Sequence, residues 1–170
     1  FSTSLQQPSF FCHTPFDITH RPADGNEVAA HRWVDLSTQT HGLALINNSR
    51  YGHSCSNDGT LTLSLLRTTH YPDKYPNMGI YTICYSLYPH RGDWKNGVWQ
   101  EAELFNIPIL AAEPPSLSLG RKKAFRAEEA SLLHITPSSV TITGVKQSED
   151  GKELIIRFAE IHGNYENAEI

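Results

Sequence analysis

The chain has 170 residues, 39% of them hydrophobic and 10% aromatic, which is enough for a packed core and too apolar for a disordered segment. Its net charge of −4 is shared evenly, since residues 1–110 and 111–170 each carry seven basic and nine acidic side chains. No basic half offers itself to nucleic acid, and no apolar run approaches the ~18 residues a membrane helix requires.

The N-terminus begins at Phe1 without Met and shows no basic-then-apolar leader, so we expect processing or a piece of a longer polypeptide. Cys12, Cys55 and Cys84 are sparse, far apart and odd in number. That pattern predicts reduced thiols in an intracellular setting rather than a disulfide framework.

Strand signals dominate in chain order. Residues 43–46 are apolar on both faces, as in a strand buried between layers. Asn47-Asn48-Ser49 fits the glycosylation sequon but ends that strand pattern and carries little weight. Asn57-Asp58-Gly59 is hairpin chemistry, because these residues tolerate the positive φ of tight turns. Residues 60–65 then alternate, with Leu61, Leu63 and Leu65 on one face, and Arg67 continues that face. Residues 80–88 alternate as well, with Tyr81, Ile83, Tyr85 and Leu87 on one side and Thr82, Cys84 and Ser86 on the other.

The stretch 111–130 changes character. Its first half is connector-like and Pro-containing; its second half is charged with moderate helix propensity, a mobile crossing or a frayed helical turn. Three strands are expected after it, over residues 131–136, 140–147 and 153–161. Glu149-Asp150-Gly151 turns the last pair, with Val140, Ile142, Leu154, Ile156 and Phe158 pointing inward. The expected fold is all-β: an antiparallel sandwich over 1–110, a connector over 111–130, and strands over 131–170 that complete the sandwich or form a small β-unit.

Chemistry-bearing residues are scattered. Nine histidines show no H-x-H, H-E-x-x-H or close His/Cys pairing, so no metal site is nominated. There is no G-x-S-x-G elbow, P-loop or dinucleotide fingerprint, and Arg91-Gly92-Asp93 reads as a coincidental adhesion tripeptide. A glycosidase needs two carboxylates across the scissile bond, but nothing singles out a pair among 18 acids. Asp93 and Glu101 lie near aromatic residues, which suits sugars, and solvated strand ends are the plainer explanation. Trp94, Trp99 and Tyr88 can stack on a sugar ring or simply be buried at sheet ends. Arg67 is a charge on a leucine face. It is aimed at a ligand or at a neighbouring domain's carboxylate, or it snorkels past the core edge or pairs with a structural carboxylate.

Four ordered blocks carry a resemblance: His31-Arg-Trp-Val-Asp-Leu-Ser37, Gly42-Leu-Ala-Leu-Ile-Asn-Asn-Ser-Arg-Tyr-Gly52, Leu61-Thr-Leu-Ser-Leu-Leu-Arg67 with Tyr71-Pro-Asp73, and Tyr88-Pro-His-Arg-Gly-Asp-Trp94. They resemble glycoside hydrolase family 38, the class II α-mannosidases, in its branch of cytosolic or vacuolar enzymes. Residues 131–158 are similar to the family's closing segment, whereas Ser54-Cys-Ser-Asn57 and Thr68-Thr-His70 depart from its pattern.

The resemblance implies a C-terminal β-domain without catalytic residues of its own, partnered by an N-terminal catalytic domain of the same enzyme. That absent domain would hold the zinc ion, the nucleophilic aspartate and the acid/base carboxylate of a retaining mannosidase. No cofactor is expected in this chain. Arg67, Asp93 and Trp94 are the candidate substrate-binding residues, meeting mannose-containing glycans at the domain interface. A homo-oligomer is possible. Two other readings stay open: a free-standing carbohydrate-binding sandwich and a purely structural oligomerisation domain.

Overall fold

The computed structural model describes residues 1–69, 71–75, 78–110 and 131–170. The chain divides into two compact units, Phe1–Pro108 and Ile109–Ile170. The expected connector at 111–130 lies outside the described residues.

The first unit is built on a five-stranded antiparallel sheet. Its strands are β1 (Ser9–Thr14), β2 (Asp17–Arg21), β4 (Trp33–Ser37), β5 (His41–Asn47) and β8 (Tyr85–Arg91), in the order β2-β1-β4-β5-β8. A second sheet joins β3 (Val28–Ala29), β6 (Gly52–Cys55) and β7 (Leu61–Leu63) in the order β3-β6-β7. Alternation sorts the side chains of the large sheet. Phe10, Cys12, Val34, Leu36 and Leu45 point to one face and form one buried cluster with Cys55 and Leu61 of the small sheet. This is the sandwich the periodicity predicts.

The opposite face is covered by α1 (Val98–Asn106), which packs on β5 and β8. Its buried residues Val98, Trp99 and Ala102 follow the helical period. Gly97, at φ 94°, supplies the left-handed residue that starts it. Trp33 of β4 meets the Trp94 ring at 5.8 Å and stacks on His13 at 5.7 Å, while Trp99 meets His13 edge-on at 4.7 Å. The Arg32–Glu103 ion pair ties the helix to the chain entering β4. Cover on both faces explains why β4 is buried along its whole length and why residues 43–46 had to be apolar on both sides.

Several expected elements shift. The strand expected over 60–65 is reduced to Leu61–Leu63, and Leu65 is exposed. The hairpin turn before it forms as expected, with Gly59 at φ 79° donating to the Ser56 carbonyl. The strand expected over 80–88 begins only at Tyr85. Its apolar side is not a core face: Tyr81, Tyr85 and Leu87 are exposed, and Ser86, Tyr88 and His90 are the half-buried set. The physical reason is coverage, because the small sheet's cluster takes residues from β1, β4 and β5 and, among the described residues, none from β8. Pro89 suits this outer position, having no N–H for a further ladder.

In the second unit, β9 (Val140–Gln147) and β10 (Leu154–Glu160) form an antiparallel hairpin. Gly151, at φ 72°, turns it, and Ser148 donates to the Asp150 carboxylate at 2.7 Å. The third strand expected here, over 131–136, is absent; Thr136 makes one isolated bridge to Glu169. Val140 is buried as expected, but Leu154 and Phe158 are exposed, since a two-stranded ribbon cannot cover both of its own faces. No helix of the described residues is long and apolar enough to cross a membrane.

Candidate functional site

Arg67 lies past the end of β7, four residues beyond Leu63. The backbone pairing runs one residue further than the strand, to Ser64, whose N–H donates to the Gly52 carbonyl. Arg67 is therefore not on a buried leucine face: its side chain is 83% exposed, and its Nη1 donates to Glu27 Oε2 at 3.0 Å. The other oxygen of Glu27 accepts from the Ser64 hydroxyl. Glu27 precedes β3, and its side chain reaches Ser64 across β6 at Gly52, where a Cβ would collide with Glu27 Oε1. These residues line an open groove of about 540 Å³ with Arg50, Tyr51, Leu65, Leu66 and Tyr81. Its chemistry is a guanidinium beside a carboxylate, edged by two tyrosines, which can hydrogen-bond hydroxyls and stack on a ring.

Asp93 lies elsewhere. It lines a separate groove of about 720 Å³ with the amides of Gln6, Gln39 and Asn96 and the hydroxyls of Thr38 and Thr40. Its Oδ1 accepts the Lys95 N–H at 3.0 Å in the turn after β8. Trp94 is 5% exposed, packed against Trp33 and Phe11, with Lys95 Nζ 5.6 Å from its ring centroid. Trp99 is buried too. Arg67 and Asp93 thus line two different grooves, while Trp94 lies beneath the turn that carries Asp93. Glu27 was missed in the sequence, where an isolated acid before a two-residue strand carries no signal.

A buried polar group crosses the large sheet. His90 Nε2 meets Asp35 Oδ1 at 2.7 Å, and the Ser37 hydroxyl donates to Asp35 Oδ2 at 2.5 Å. The carboxylate sits between the serine and the histidine, so this is not the serine–histidine contact of a hydrolase triad. Gly42 of β5 lies between Ser37 and His90 in the register, and a Cβ there would strike the imidazole. Burial alone would lower the His90 pKa, but the hydrogen bond and charge of Asp35 outweigh it, and the pKa is raised above the ordinary imidazole value.

His13 and His53 are the opposite case. Burial, with His31 and Arg32 nearby, pushes His13 down to about 3, and burial pushes His53 down to about 4. Burial likewise raises the Cys12 and Cys55 thiols to about 12 and about 11, leaving them unreactive. Asn47 of the sequon is fully buried, with its Oδ1 accepting the Ser49 and Arg50 N–H groups, and is closed to a glycan. Among the described residues no three His, Cys, Asp or Glu side chains come together as a metal site, so they do not fit a zinc centre.

Comparison with known proteins gives a consistent picture. Residues 1–75 match the family model of the glycosyl hydrolases family 38 C-terminal domain. The chain is 37% identical over 143 residues to alpha-mannosidase 2C1 of Homo sapiens, covering 82% of this chain and 13% of that protein. Alpha-mannosidase G of Dictyostelium discoideum is 33% identical over 138 residues, covering 81% of this chain and 12% of its own length. A crystal structure of a family 38 glycosyl hydrolase protein from Enterococcus faecalis superposes with a TM-score of 0.75 at 22% identity, over 93% of this chain and 20% of that one. At that identity the match speaks for the fold alone. The chain spans only a small part of the length of its curated relatives.

Proposed function

The chain is a C-terminal domain of glycosyl hydrolase family 38, and on that premise we propose that it supports a separate catalytic domain of the same polypeptide and forms the rim of its sugar pocket. The parent cleaves terminal α-mannosides by a zinc-dependent retaining reaction, with the zinc and the reacting carboxylates in the part that this chain does not contain. The observation that carries this reading is the groove at Arg67, open to solvent and edged by exposed Leu65, Leu66 and Tyr81. Apolar side chains beside a polar cluster mark a surface made to be covered.

In this role the Arg67 guanidinium donates to sugar hydroxyls at the domain interface, where water is excluded and each hydrogen bond strengthens. Asp93 offers a second acceptor to mannose-containing glycans along its own amide-rich groove. Trp94 serves from beneath, as the packed ring that fixes the Asp93 turn. The three free thiols support an intracellular enzyme.

The test is hydrolysis of p-nitrophenyl α-mannoside with zinc added, comparing this chain alone, the full-length parent, and the parent with Arg67→Ala. We expect no turnover from the chain alone, and a kcat/KM loss of roughly tenfold or more from the substitution. Turnover by the chain alone would return attention to its own carboxylates. A fully active Arg67→Ala parent would leave the domain a scaffold.

A further inference from the structure

We propose that Glu27 is a positioning residue for Arg67, holding the guanidinium into the groove from the far side of β6, with Gly52 as the gap its carboxylate passes through. This rests on the reading of Arg67 as a sugar-facing residue and adds to it the device that aims the side chain.

The need for such a device follows from where Arg67 sits. Among the described residues the ladder ends at Ser64 and residues 64–69 have no regular secondary structure, so a long side chain that is 83% exposed gains from a fixed partner. An arginine held in one geometry loses rotamer freedom, and a site that must meet a hydroxyl at hydrogen-bond distance needs that loss taken before the ligand arrives. Glu27 supplies it. One oxygen accepts from Ser64, where the described β6–β7 ladder ends, and the other accepts from Arg67 Nη1 at 3.0 Å. The carboxylate therefore bridges the fixed end of the ladder to the arginine three residues on.

A guanidinium is planar, so engaging Nη1 orients the whole fork of five donors. Glu27 can stand there only because Gly52 has no side chain. Gly52 pairs with Ala29 of β3, and an added Cβ would meet Glu27 Oε1 and also press on Ser64 Cβ at 2.9 Å. The φ of Gly52 is not in the left-handed region, so neither a turn nor backbone strain calls for glycine here. The clearance for Glu27 and Ser64 is what glycine provides. The negative charge also keeps the groove from being a purely cationic surface, which suits a neutral hexose better than a phosphate.

The experiment uses the full-length parent and p-nitrophenyl α-mannoside, with kcat and KM measured separately for Arg67→Ala, Glu27→Ala, Glu27→Gln, Gly52→Ala and the Arg67→Ala/Glu27→Ala pair. We expect Glu27→Ala to lower kcat/KM to within about threefold of Arg67→Ala, and the pair to be no worse than Arg67→Ala alone. Glu27→Gln keeps one acceptor oxygen for Arg67 while its amide NH2 can donate to the Ser64 hydroxyl, so it should recover part of the loss. Gly52→Ala should reproduce the defect while leaving both charged groups in place. Thermal melting of Glu27→Ala should match that of the parent, because an exposed ion pair adds little to stability. An Arg67→Ala parent that is impaired while Glu27→Ala is fully active overturns the positioning role and leaves the rim reading standing. Additive losses in the pair overturn it too, because Glu27 would then act independently of Arg67. A silent Arg67→Ala overturns the rim reading, and the inference with it.

Discussion

Gly42 and Gly52 each sit on a strand flanked on both sides, and at each one a side chain from one neighbour crosses to the other. His90 crosses β5 to reach Asp35, and Glu27 crosses β6 to reach Ser64. The first crossing is buried, so its rupture is costly. Gly42→Ala should push the imidazole off Asp35 and leave the buried carboxylate with the Ser37 hydroxyl but without its cation. A loss of about 3–5 kcal/mol is expected, read from urea denaturation of the chain.

The three buried histidines set the pH dependence in opposite senses. His13 and His53 have depressed pKa values, so their contribution is present above the ordinary imidazole value of 6.5 and is lost as pH falls toward about 3 and about 4. His90 has a raised value; its contribution is complete below 6.5 and is lost as pH climbs through its folded pKa. Melting temperature should therefore peak near the ordinary imidazole value. In thermal scans across pH, His90→Gln should flatten the alkaline limb, while His13→Asn should flatten the acid limb. Neither crossing was legible in the sequence, because a glycine in an apolar run looks the same whether or not a side chain passes over it.

Among the elements, legibility followed periodicity and length. The hairpin of β9 and β10 was evident from two alternating runs around Glu149-Asp150-Gly151, and β9 has the expected bounds. The strand over 80–88 was misplaced because alternation reports two different faces without saying which one is covered. α1 went unread because nine residues with one apolar face of Val98, Trp99 and Ala102 give a weak signal, and its tryptophan read as an aromatic buried at a sheet end, with sugar stacking as the lesser reading. The structure makes that ring part of the joint between helix and sheet. Trp33 is the centre of the same joint, fully buried between His13 and Trp94. Trp33→Ala should cost about 3–5 kcal/mol, measured by denaturant unfolding, and should also weaken near-ultraviolet circular dichroism from the packed indoles.

Taken whole, the described surface exposes large apolar side chains in both units. Ile80, Tyr81, Tyr85 and Leu87 in the first unit and Leu154 and Phe158 in the second are all exposed. On the proposed role as a domain packed on a catalytic partner, the chain alone should bind a hydrophobic dye such as ANS more strongly per mole than the full-length protein does. Equal binding would argue that the surface is not covered in the parent. The sequence by itself determined the all-β class, the turns at Gly59 and Gly151, the doubly buried run at 43–46 and the family, because each is written in local periodicity or in contiguous blocks. Tertiary structure alone decided that Arg67 leaves the core for Glu27, that Asp93 lines a different groove and that Trp94 lies inside. Those outcomes depend on which neighbouring strand covers which face and on where a missing Cβ lets a side chain through, and both are set by residues far apart in the chain.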